Sequence, residues 1–128
     1  MNNSAKREPN VEAVRQVLRG LLKSSPHVRA AAVVRLSGLT VAAVMPYYVE
    51  QERVSAMSAV MLLLGERITE SMRSGELGKV YIQGESGRIV LVSIGEDAVL
   101  TLTASEEAPL GLLFLEMQAS VKKLKRLV

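Results

Sequence analysis

Cysteine is absent from this chain of 128 residues. That single absence removes disulfide frameworks, thiolate-bound zinc and thiol nucleophiles. Tryptophan is absent too, and the aromatic residues are only Phe114, Tyr47, Tyr48 and Tyr81. A protein that holds single-stranded nucleic acid needs side chains on which bases stack, and few are available. His27 is the only histidine and Asp97 the only aspartate, so a metal site would need glutamates or a partner's ligands. An excess of one charge is also missing. Sixteen Lys and Arg face thirteen acidic residues, a net charge of +3, which suits solubility and is no nucleic-acid footprint. The longest apolar stretches, Leu39 to Val49 (broken by Pro46) and Ala59 to Leu64, fall short of the roughly 18 residues a membrane span needs. Met1 to Asn10 is polar, carries Lys6, Arg7 and Glu8, and has no apolar core of a secretory signal. The expectation is a cytoplasmic protein with no transmembrane segment and no nucleic-acid partner.

What the chain does have is apolar residues, 48% of the total, enough for a core without metal or disulfide staples. Its length suits one domain. Residues 1–9 read as a disordered N-terminal tail, and 10–128 as the domain. Asn10 is a candidate N-cap. Val11, Val14, Val17, Leu18, Leu21 and Leu22 then share one helical face until Ser24, Ser25 and Pro26 end the helix. Val28 to Leu36 reads as a buried strand, Ser37-Gly38 as a tight turn, and Leu39 to Met45 as the returning strand of a hairpin. Glu50 to Ser74 is the longest helical pattern, with Val54, Met57, Met61, Leu64, Ile68 and Met72 as its expected core stripe and Gly75 as its stop. Lys79 to Gln83, Arg88 to Ile94 and Ala98 to Ala104 form a three-stranded meander with turns at Glu85-Ser86-Gly87 and Gly95-Glu96-Asp97. Pro109 opens a last helix, expected over Leu110 to Val128. Its stripe is Leu110, Leu113, Phe114, Met117, Val121, Leu124 and Val128. The predicted order, α-β-β-α-β-β-β-α, makes a mainly antiparallel five-stranded sheet covered by helices on both faces, an α/β three-layer sandwich.

Several phrases of the sequence resemble the Roadblock family. Leu36-Ser37-Gly38-Leu39-Thr40-Val41-Ala42 resembles its first hairpin turn, although Leu36 and Ser37 stand where an acidic residue is common. Gly87 to Gly95 resembles its fourth strand. Ala108-Pro109-Leu110-Gly111 resembles the start of its last helix, most of all in the bacterial MglB-like branch. The resemblance spans about Asn10 to Val128. It implies a profilin-like sheet of strand order 2-1-5-4-3 and a homodimer formed by pairing third strands with the long second helices side by side. It also implies a partner, a small Ras-like GTPase, which the dimer would hold or regulate, and places the dynein light chains among the relatives.

No catalytic constellation is present in the sequence. His27 follows Pro26 in a loop and reads as a surface residue. Asp97 is explained by its turn, and Glu106 and Glu107 by the start of the last helix, where negative charge suits the dipole. No phosphate-binding Gly-x-x-x-x-Gly-Lys-Ser/Thr motif occurs, and Gly84, Gly87 and Gly95 are spaced as turns. Lys122, Lys123, Lys125 and Arg126 read as the solvated end of the last helix. The informative segment is the second helix. Leu62 and Leu63 project from other faces than the expected stripe, Leu63 nearly opposite it, with Ala56 and Ala59 nearby. A helix apolar on more than one side is buried on more than one side, and contiguous exposed apolar area marks interaction sites. Ala56, Ala59, Leu62 and Leu63, rimmed by Glu66, Arg67 and Glu70, are therefore the expected partner surface. Lys79, Val80, Tyr81, Ile82 and Gln83 are the expected dimer edge. The protein is expected to be a non-catalytic GTPase regulator or scaffold with no cofactor. If it accelerates hydrolysis, repositioning of the GTPase's own groups is the expected route, and Arg53, Arg67 and Arg73 are the arginines available in trans. The alternatives are a structural adaptor of a larger assembly, such as a light chain, and a small-ligand or nucleic-acid module.

Overall fold

The computed structural model describes residues 9–128, so the expected tail lies, apart from Pro9, outside the described residues. The elements are α1 (Val11–Ser24), β1 (Val28–Arg35), β2 (Thr40–Val44), α2 (Gln51–Ser71), β3 (Val80–Gln83), β4 (Arg88–Ile94), β5 (Ala98–Ala104) and α3 (Leu110–Leu124). This is the order read from the sequence. β4 and β5 match their expected bounds, and the other strands are shorter by a residue or two.

Local chemistry explains where the helices start and stop. The Asn10 side-chain oxygen accepts the Ala13 amide at 3.0 Å, satisfying one of the N–H groups a helix start leaves free. The long helix ends at Ser71, three residues before the expected Ser74. There the Met72 amide returns to the Ile68 carbonyl and the Arg73 amide to that of Glu70. Arg73 itself takes a left-handed φ of 56°, so the turn is made before Gly75 is reached. The last helix stops at Leu124, and the Leu127 carbonyl beyond it accepts the Asn10 amide at 3.1 Å, tying the two chain ends of the domain together.

All strand pairs are antiparallel, in the order β2-β1-β5-β4-β3. β2 and β3 are the sheet's edges. Because side chains alternate along a strand, β5 sends Leu100 and Leu102 to the face covered by α1 and α3, and Val99 to the face covered by α2. The first face carries one continuous core that includes Leu18, Val33, Leu102, Met117 and Leu124. The second carries two small clusters, Ala32 with Val34 and Ala59, and Leu62 with Leu91 and Val99. One contact there is at the steric limit. A Cβ placed on Gly65 in α2 would meet a Val80 methyl at 3.0 Å and a Leu77 methyl at 3.1 Å.

Candidate functional site

At about 100° per residue, α2 divides into three arcs. The arc on the sheet is small: Ser55, Ser58, Ala59 and Leu62 are its buried residues. Its first turns lie over Ala32, Val34 and Ala43, where short side chains let the helix sit close, and Leu62 fills the wider space over Leu91 and Val99. Thr40 Oγ1 and Ser55 Oγ hydrogen bond across this contact. The second arc holds the large apolar residues. Met57, Leu64, Ile68 and Met72 are 54%, 48%, 60% and 72% exposed, and Val60 and Met61 continue the strip. The third arc carries Ala56, Leu63, Glu66, Arg67 and Glu70, all exposed.

Two expectations are corrected here. The stripe expected in the core (Val54, Met57, Met61, Leu64, Ile68, Met72) is mostly open to solvent, with only Val54 half-buried. And Ala59 and Leu62, expected on the partner surface, are 2% and 1% exposed and belong to the core. The large residues follow a helical step so regularly that they look like a core stripe. The true contact is marked by the small residues Ser55, Ser58 and Ala59, with Leu62 as its one large side chain, at i, i+3, i+4, i+7 spacing. Size, and not period, separates the two faces, because a helix lying close to an alanine-rich sheet buries little side-chain volume.

The exposed apolar arc lies on the side of α2 nearest β3. Met57 and Met61 line the same hollow as Ile82 and Ile89 of the β3–β4 pair. In β3, Val80 and Ile82 are half-buried and packed beneath α2, while Tyr81 and Gln83 are exposed. β3 pairs with β4 on one side only, so its other edge presents unpaired backbone groups among the described residues. Lys79 lies just outside the strand, its Nζ 4.6 Å from the centre of the Phe114 ring.

The polar residues singled out by sequence serve structure. His27 Nδ1 lies 3.0 Å from Ser105 Oγ. The Gly84 amide donates to the Gly87 carbonyl at 2.8 Å and closes the β3–β4 turn, and Asp97 offers its carbonyl to the Leu36 amide. Of the long-helix arginines, Arg53 pairs with Glu50 at 3.0 Å. Among the described residues, no group of three His, Asp or Glu could hold a metal ion, and no helix is long and apolar enough to cross a membrane.

Comparison with known proteins agrees with this architecture. A Roadblock/LC7 domain family model matches residues 15–104. An uncharacterized protein of Methanocaldococcus jannaschii is 30% identical over 104 residues, covering 81% of this chain and 90% of that protein. Among solved structures, Myxococcus xanthus MglB superposes with a TM-score of 0.85 at 14% identity, over 94% of this chain and 90% of its own. Acanthamoeba castellanii profilin IA superposes with a TM-score of 0.61 at 15% identity, over 87% of this chain and 95% of its own. At those identities the likeness is one of fold, a profilin-like sheet with helices on both faces. The family match, the relative and the strand order agree, and this chain belongs to the Roadblock/LC7 family.

Proposed function

We propose that this protein is a homodimeric, non-catalytic regulator of a small Ras-like GTPase. The observation that carries the reading is the division of α2 into two exposed flanks beside an open sheet edge. An apolar strip running from Met57 to Met72 is more than a solvated helix needs. Next to it, β3 offers backbone donors and acceptors without partners. A second copy satisfies both at once, because a two-fold axis places strip on strip and edge on edge. Val80 and Ile82 then continue the apolar surface beneath the paired helices. The charged flank is left uncovered. Leu63 with Glu66, Arg67 and Glu70 has the anatomy of a regulated interface, a small apolar centre in a polar border. This is the surface assigned to the GTPase, and pairing doubles it into a platform.

The chain contributes no catalytic group to this reading. A regulator of this kind shifts a GTPase between conformations only through differential affinity for them. Titration against a small Ras-like GTPase encoded in the same genome, in its GDP-bound and GTP-analogue-bound forms, is expected to show at least tenfold tighter binding to one form, and Arg67→Glu is expected to weaken it. Equal affinities would leave a passive scaffold, and no binding to any such GTPase would remove the reading.

A further inference from the structure

A hollow of about 670 Å³ lies between the first half of α2 and the sheet, within the roughly 300–1,000 Å³ range of small-molecule sites. Met57, Ser58 and Met61 form its roof, and Ala30, Thr101 and Thr103 lie on its floor. It exists because the first half of α2 rests closely on β1 and β2, where alanines meet its small residues. Toward the β3–β4 hairpin, the gap stays open.

Three observations give the hollow chemical character. Thr101 is 2% exposed, lines the hollow, and its Oγ1 has no hydrogen-bond partner. A buried hydroxyl without a partner is costly in a native fold. The charged residues around the hollow are both arginines, Arg29 and Arg88, with no carboxylate among its walls. Arg88 shares its side of β4 with Val90, which packs beneath α1 and α3, so Arg29 is the cation offered here. Its Nη1 is held at the hairpin end by the Ser86 carbonyl at 2.9 Å. Lastly, the walls are rich in methionine (Met45, Met57, Met61), whose unbranched side chains adapt to irregular apolar ligands.

The presence of two separate polar groups narrows the ligand. Thr101 sits opposite Ala32 in β1, three residues along from Arg29, which lies in the irregularity between Val28 and Ala30. We propose that this hollow binds a single-chain acyl lipid with an anionic headgroup. The acyl carbonyl accepts the Thr101 hydroxyl, the headgroup lies toward Arg29, and the chain packs among the methionines. A plain fatty acid has no second polar group to offer, whereas an acylglycerol phosphate carries its carbonyl and its anion on either side of a short linker.

The test is calorimetric titration of the full-length protein with 1-lauroylglycerol phosphate below its micelle concentration, beside dodecyl phosphate, which has no carbonyl, and monolauroylglycerol, which has no anion. One lipid is expected per chain. Thr101→Val keeps the shape of the site and is expected to weaken the two carbonyl-bearing lipids about tenfold while leaving dodecyl phosphate unchanged. Arg29→Gln is expected to weaken the two phosphates about tenfold and leave monolauroylglycerol unchanged. Absence of saturable binding to the folded protein overturns the proposal. So does binding indifferent to both substitutions, which is adsorption to the apolar strip of α2. Binding that appears only after Leu64→Asp separates two copies also overturns it, since a second copy then fills the hollow and the dimer reading stands by itself.

Discussion

Replacing Leu64 and Ile68 together by aspartate is expected to leave single chains of 13.9 kDa with an unchanged far-ultraviolet circular dichroism spectrum. Both side chains are about half exposed or more in the isolated chain, so the folded monomer loses little when they become polar. Surface changes of this kind usually stay within about 0.5 kcal/mol. In the proposed pair, the same residues would meet the second copy's strip. A two-fold interface repeats each change, so four carboxylates would lose water with no cation in the strip to receive them. Each buried unpaired charge costs several kcal/mol, more than an association of ordinary strength contains. Light scattering across a concentration series decides the matter. A double variant that still forms pairs at tens of micromolar would show that the strip is not the interface. Leu63→Asp serves as the control, since it lies on the charged flank and is expected to leave pairing intact.

Leu62→Ala is expected to cost about 2–5 kcal/mol of stability, and Leu63→Ala, one residue away, less than about 1 kcal/mol. The two leucines are neighbours in sequence and 100° apart on the helix. Leu62 is buried against Leu91 and Val99, and removing it leaves a void between α2 and the sheet that close packing cannot quickly fill. Leu63 is 41% exposed, so truncation mostly trades one solvated surface for another. For a domain of this size, the Leu62 loss corresponds to a drop of about 4 °C in Tm for each kcal/mol. Chemical denaturation of both variants gives the ratio directly. Equal losses would mean that the buried arc of α2 is misplaced.

The fold was legible in the sequence wherever punctuation was strong. Asn10, Pro26, Gly38, Pro46 and Pro109 delimit elements whose bounds agree with the structure to within a few residues. The strands of the meander were legible because alternation and turn residues act over short distances. The edge position of β3 was not legible from its own residues and came with the family resemblance, since strand order depends on contacts far apart in sequence. The orientation of α2 was misread for a physical reason. Hydrophobic period reports which residues avoid water, not whether they avoid it within one chain or between two. In α2 the exposed face carries the large apolar residues and the buried face mostly small ones, Ser55, Ser58 and Ala59 beside Leu62, and a reading of period alone ranks them in the wrong order. The unpartnered Thr101 hydroxyl had no signal in sequence, because a threonine in a strand is ordinary until its neighbours are known.

The missing methyl at Gly65 has a consequence for how this architecture tolerates change. With Val80 and Leu77 methyls 3.0 Å and 3.1 Å from where its Cβ would lie, the position acts as a spacer of no thickness between the long helix and the edge strand. Any larger residue there must push the Val80 and Leu77 side chains aside by a few tenths of an ångström or lift the helix, and a helix that pivots on its close contact near Ser55 and Ala59 swings farthest at its far end. In the proposed pair, a two-fold axis would apply that tilt twice, in directions related by the 180° rotation. If the proposed pair forms, the distance between its two charged flanks, and so the span a bound globular partner would have to bridge, is set in part by the absence of one carbon atom.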